Sequence, residues 1–383
     1  MISFKTSNSV NTVAAIASLF ISLPIVGLVN TSPAIAQTEN SGTTAQQLTP
    51  QQRQEQSRRV NELVRQGRDL MRSRNFSEAI AIYEQAAALE PDNARIHSAI
   101  GFAHAQERNY AAAVSAYRRA IALDGNNANF HYALGFCLAN LGDNAGAAES
   151  YRRAVALDPN NLDANLGLGV VLSRLQDYDG SLAAYRRAAS LRGANSARIY
   201  ESMGEVLLLA ARYRDAAEML QQAANLAPRR AEVQANLGVA LVNSGRVQEG
   251  LNALRRAAEL EPRNANIFLQ IGDLYRAQGN LQEAVTFYQR ATFAEPNSVD
   301  AHATLGNLLL EQGNYLQAII TFRRLTELEP ENGDAFYRLG VALKERDRRN
   351  EALAAFRIAL QLYEQQGNEE GAAQAESMIK KLN

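Results

Sequence analysis

Four histidines, one cysteine and a recurring pair of arginines are the groups in this sequence with the most chemical reach. His97 and His104 would share one face of a helix, where two imidazoles can meet. A zinc site or an activated nucleophile needs more than that: further ligands at metal spacing, or a thiol beside its base. His131 and His302 stand far from both, no H-x-x-x-H pair occurs, and Cys137 is the only cysteine. The histidines therefore read as structural, and Cys137 as a small buried apolar residue with no partner for an internal disulfide. Neither a G-x-x-x-x-G-K-[ST] phosphate loop nor a G-x-S-x-G elbow is present, so catalysis is not expected. The arginine pairs are Arg118-Arg119, Arg152-Arg153, Arg186-Arg187, Arg255-Arg256 and Arg323-Arg324. They form either a basic surface for a polyanion or an anionic membrane, or the solvated side of a repeated unit. The net charge of −1 over 383 residues gives no global basic excess and argues against nucleic acid.

The elements that carry these groups follow from a period. Glycines recur at Gly67, Gly101, Gly135, Gly169, Gly204, Gly238, Gly272, Gly306 and Gly340, in steps of 34 with a single step of 35. With glycine placed eighth in each unit, small residues recur at the twentieth place, from Ala79 to Ala352. Large ones recur at the twenty-fourth: Tyr83, Tyr117, Tyr151, Tyr185, Leu220, Leu254, Tyr288, Phe322 and Phe356. Prolines 91, 159, 228, 262, 296 and 330 close six of the nine units. The glycine and the small residue let two antiparallel helices approach, the aromatic fills the space beside them, and proline stops the second helix. The arginine pairs fall between the inward aromatic and an inward alanine, so both point away from the partner helix. Arg255 can reach Glu259, and Arg323 can reach Glu327, one turn on.

Outside the repeats, Lys5, an apolar run from Val13 to Val29 and Ala34-Ile35-Ala36 ahead of Gln37 read as a cleaved export signal over 1–36. Residues 37–59 are rich in Gln, Thr and Ser without apolar periodicity and read as a flexible leader. The protein is expected in the periplasm, with a thylakoid-lumen or membrane-associated location as the variant of that reading. After Gly367, Ala372, Ala375, Ile379 and Leu382 fall at helical spacing.

Nine glycine-small-aromatic-proline units in register resemble the tetratricopeptide repeat family over residues 60–366. The expected fold is all-α: a right-handed superhelical α-solenoid of nine helix pairs, closed by a capping helix over 367–383. The resemblance implies that the first helices line a concave groove, with solvent-facing places at the second, fifth, ninth, twelfth and thirteenth. Those places hold Arg68, Arg72 and Arg95 first, then an apolar patch of Phe102, Tyr132, Phe136, Leu166 and Val170. The later units turn acidic with Glu201, Glu205, Glu232, Asp273, Asp300, Glu311, Asp334 and Glu345, against Arg198, Arg276 and Lys344, a net −5. The patch is either a contact site for a protein or peptide or a bridge between adjacent units. The acids are either a soluble face or a place for a basic peptide or a hard divalent cation such as Mn²⁺. The family's chaperone-binding subtype grips a carboxylate with Lys and Asn at places that here hold Val64, Ser98 and Phe102, so that subtype is not expected. An export signal followed by nine repeats and little else also resembles exported cyanobacterial factors for photosystem II assembly. That likeness implies binding of precursor D1 near its C-terminus and delivery of manganese as cargo. The alternative is a general exported scaffold for envelope, pilus or secretion assembly without a metal role.

Overall fold

The computed structural model describes residues 49–191 and 195–383; the export signal and the first part of the leader lie outside them. The described residues are helical, with no strand among them. In chain order the helices are α1 (Pro50–Arg72), α2 (Phe76–Leu89), α3 (Ala94–Gln106), α4 (Tyr110–Leu123), α5 (Ala128–Asn140), α6 (Asn144–Leu157), α7 (Leu162–Arg174) and α8 (Tyr178–Ala189). There follow α9 (Ser196–Leu209), α10 (Tyr213–Leu226), α11 (Ala231–Asn243), α12 (Val247–Leu260), α13 (Ala265–Ala277) and α14 (Leu281–Ala294). The last are α15 (Val299–Glu311), α16 (Tyr315–Leu328), α17 (Gly333–Lys344), α18 (Arg349–Gln365) and α19 (Glu369–Leu382). The sequence unit is thus one helix pair, odd-numbered helix first, and the fold is an α-solenoid of stacked pairs.

Two compact bodies divide the chain, one ending at Val206 and the other running from Leu207 to Asn383. In each, a second helix packs on its own first helix and on the first helix of the next pair. First helices also touch across pairs, α3 with α5 and α5 with α7 in the N-terminal body, α15 with α17 in the C-terminal one. Among the described residues second helices make no comparable contact with each other, so in each body the first helices form the more closely spaced row.

Why the units form is written at their ends. Asn93, Asn127, Asn161, Ser298 and Asn332 start first helices by accepting a backbone N–H of the first turn. Asn109, Asp143 and Asp177 do the same for second helices. Between the two helices of a unit the chain turns through a left-handed residue, which is Gly142, Gly245, Gly279 or Gly313 in four units and Arg74, Arg108, Gln176, Ala211 or Asp347 in the others.

The eighth-place glycine has a more specific task than easing helix approach. The twenty-fourth-place ring lies flat on it: an added Cβ at Gly169 would come within 2.8 Å of the Tyr185 ring, and one at Gly306 within 2.8 Å of Phe322. These rings are the floor of the core, with Tyr185, Tyr288, Phe322 and Phe356 all fully buried.

At the N-terminus the helix begins at Pro50, so it takes in the last ten residues of the expected leader. Thr49 and Gln52 form a reciprocal capping box (3.3 and 2.9 Å), Pro50 takes the first helical position, and a run of Gln, Arg and Glu propagates the turn. The extension buries nothing before Val60, which is why it carries no apolar period. The side chain of Gln56 ties it to the carbonyl of Leu89. At the other end α19 buries Ala375 and half-buries Ala372, Ile379 and Leu382 against the last pair. No described helix is long and apolar enough to cross a membrane.

Candidate partner-binding groove

The inner face of the N-terminal body is set by residues one helical turn apart on successive first helices: Val64 and Arg68 on α1, Ser98 and Phe102 on α3, Tyr132 and Phe136 on α5, Leu166 and Val170 on α7. Arg68, Phe102, Phe136 and Leu166 are half-buried there, while Arg72 and Arg95 are exposed. Two of the expected groove residues are instead interior. Tyr132 is 2% exposed, its ring 6.0 Å from that of Tyr151, because α7 closes over it. Val170 is 7% exposed, since its short side chain does not clear the helix shoulder that phenylalanine clears at the same place in α3 and α5. Phe136 does both things the sequence allowed: it meets Tyr110 of the preceding pair edge-on at 6.1 Å and keeps part of its ring open.

The Tyr132 hydroxyl is buried without a hydrogen-bond partner, a cost of about 1–3 kcal/mol for a group left unsatisfied. Burial, first, and the nearby Asp163 carboxylate, second, push its ionisation upward. Burial alone raises Asp163 above the usual carboxylate range and pushes the Cys137 thiol up to about 12. Cys137 is inert by that measure.

The acidic places of the later units are largely engaged in the scaffold. Arg276 donates to both oxygens of Glu311 (2.9 and 3.0 Å), Lys344 to Glu345 (2.8 Å), and Arg230 stands 3.9 Å from Glu232. The Tyr288 hydroxyl donates to Asp273 (2.6 Å) and Tyr363 to Asp334 (2.5 Å). Asp300 is exposed, whereas Glu201 and Glu205, one turn apart on α9, are both buried. Asp273, Asp334, Glu311 and Glu345 are therefore partners of tyrosines and of basic side chains rather than a row of bare carboxylates. Sequence reasoning missed the Tyr288 hydroxyl by treating the twenty-fourth place as pure filler, and Tyr363 lies outside the repeating places altogether. The available signal was tyrosine at that twenty-fourth place in a unit with aspartate at the ninth, as Tyr288 and Asp273 are.

The other chemically capable groups are absorbed by the stack. His97, His131 and His302 each donate Nε2–H to the carbonyl six residues earlier, of Pro91 (2.7 Å), Gly125 (3.0 Å) and Pro296 (3.0 Å). Asn165 and Gln234 make the same bond at the same place, so the histidines cap turns. The arginine pairs do not make the bonds expected of them. Arg255 donates to the Tyr275 hydroxyl (2.5 Å) and Arg323 to Glu351 (2.7 Å), and it is Arg324 that meets Glu327. The second arginine of a pair reaches back to the turn before its unit: Arg119 to Asp92, Arg153 to Asn126, Arg187 to Asn160, Arg324 to Asn297. An Asn or Asp 27 residues ahead of the second arginine was the readable sign.

Comparison with known proteins agrees with this architecture. The profile of the Cilia and flagella-associated protein 70 C-terminal domain, a tetratricopeptide-repeat domain, matches residues 127–335, more than half of the chain. The general Tetratricopeptide repeat profile matches 64–128 and 304–367. The chain belongs to the tetratricopeptide-repeat family, a scaffold fold of protein–protein interaction whose members bind protein or peptide partners and are generally not enzymes. A curated TPR repeat-containing protein of Picosynechococcus sp. is 47% identical over 47 residues, which is 12% of this chain and 12% of that relative. Among solved structures, the C-terminal part of a TPR repeat-containing protein from Cytophaga hutchinsonii aligns over 63% of this chain and 99% of its own, at 14% identity and a TM-score of 0.54. YrrB, titled a TPR protein with an unusual peptide-binding site, aligns over 49% of this chain and 96% of its own at 23% identity and a TM-score of 0.42.

Proposed function

We propose that the chain is an exported scaffold that holds a protein or peptide partner on the inner first-helix face of its N-terminal body. The observation that carries this reading is the row of half-buried side chains Arg68, Phe102, Phe136 and Leu166 on four successive first helices, which leaves two phenylalanine rings partly open one unit apart. Large aromatics with part of the ring exposed are the usual anchors of such contacts. The exported location rests on the signal over 1–36, and cleavage is checked by sequencing the N-terminus of the native protein, expected near Gln37.

Within that class, the layout of signal plus nine repeats resembles PratA, the periplasmic photosystem II assembly factor of cyanobacteria. The corresponding proposal is binding of precursor D1 near its C-terminus, with Mn²⁺ carried as cargo. Glu311, Glu345, Asp273 and Asp334 have partners within the scaffold, so the manganese component is carried by that resemblance together with the buried carboxylates of Glu201 and Glu205, one turn apart on α9. Calorimetry of the purified protein with Mn²⁺, Ca²⁺ and Mg²⁺ tests it: micromolar uptake selective for Mn²⁺ supports cargo, and none removes it. Affinity capture from the native periplasm tests the partner. Recovery of precursor D1 supports the assembly factor, while recovery of envelope, pilus or secretion components without it moves the protein to a general scaffold.

A further inference from the structure

The ninth place of the first three units carries Arg68, Phe102 and Phe136, on α1, α3 and α5. Arginines either side of Arg68 on α1 are matched, Arg65 to Glu62 (2.8 Å) and Arg72 to Asp69 (3.1 Å). Arg68 has no ion pair or hydrogen bond among the described residues; its charge is felt by the Tyr83 hydroxyl, which stands at about 12 because burial raises it more than Arg68 lowers it. A half-buried guanidinium without a counter-charge is a fork awaiting a carboxylate. The two phenylalanines continue from it in line, one per unit, each with part of its ring open.

Spacing then defines the occupant. Neighbouring first helices lie about 10 Å apart, and an extended chain rises about 3.3 Å per residue, so each unit spans about three residues of a bound strand. We infer that this face takes an extended peptide whose acidic side chain lies three residues from one apolar side chain and six from a second. The acid meets Arg68 and the apolar residues meet Phe102 and Phe136. This rests on the groove reading above and adds to it the chemistry and register of the partner.

The test uses fluorescein-labelled peptides and the purified protein, read by anisotropy at low salt. The probes are Glu-Ser-Ser-Leu-Ser-Ser-Leu and its reverse, a version with the two leucines adjacent, and a version with Lys for Glu. One of the first two is expected to bind at least tenfold more tightly than the respaced and Lys peptides, and Arg68→Glu is expected to invert the preference for Glu over Lys. Circular dichroism melting confirms that Arg68→Glu is folded, since the position is half-exposed. Equal affinity across the set, no binding at millimolar peptide, or a preference indifferent to Arg68→Glu would overturn the inference. If those results come while Phe102→Ala with Phe136→Ala still abolishes capture of the native partner, only the register fails. If that double variant captures normally, the groove reading fails with it.

Discussion

At the residue scale, the fold depends on a few contacts in which glycine, ring and carbonyl have no slack. Gly169→Ala sets a methyl within 2.8 Å of the fully buried Tyr185 ring, and overpacking of this kind costs about 1–3 kcal/mol. A lowered midpoint in urea without a changed slope is the expected result. Cys137 offers a probe of the N-terminal body. Its thiol, held up to about 12 by burial, stays protonated and unreactive toward iodoacetamide at pH 8 in the folded chain and reacts only on unfolding. The linkage has a definite sign: the ordinary thiol value is 9.0 and the folded value is raised, so the folded state holds the proton longer. Stability from this group is complete below about pH 9 and falls as pH rises toward 12. Denaturant midpoints measured across that range check it, with Cys137→Ala flattening part of the decline.

At the element scale, every first helix is ended by one left-handed residue, and five of the nine are not glycine. Arg108→Gly and Gln176→Gly should each raise stability by about 0.5–1 kcal/mol, since only glycine adopts φ near +60° without penalty. Gly279→Ala, at φ +76°, should lower it by a similar amount. The arginine pairs belong to this scale as well. Arg119 and Arg187 tie a second helix to the turn that precedes its unit, in exposed bonds of 3.2 and 3.3 Å. Each is worth about 0.2–1 kcal/mol, and with Arg119 the loss on replacement by Ala should shrink in 1 M salt. Periodicity exposed the helix pairs because glycine, small residue and ring must recur wherever two helices meet closely. It could not expose the partners of the arginines, because a contact 27 residues back depends on where a turn swings its Asn or Asp. The helical start at Pro50 was equally hidden, as an exposed helix held by a cap and by good helix formers has no apolar period to read.

For the whole molecule, sequence marked the inner face but not its depth. Phe102, Phe136 and Leu166 keep open surface where the family pattern puts it, while Tyr132 and Val170 sink between first helices and leave the groove narrower than five apolar places suggested. The acidic half changed more: charge counting sees eight carboxylates, and only packing reveals that Tyr288, Tyr363, Arg276 and Lys344 occupy four of them. The row from Arg68 to Leu166 is the working surface we propose. On the second-helix side of the C-terminal body Phe293 is 84% exposed on α14. The most direct test is partner capture by three forms of the protein: unaltered, Phe102→Ala with Phe136→Ala, and Phe293→Ala. Loss of two aromatic anchors should cost at least tenfold in recovered partner, while Phe293→Ala recovers it in full. Undiminished capture by the double variant, or an equal loss with Phe293→Ala, would contradict the account.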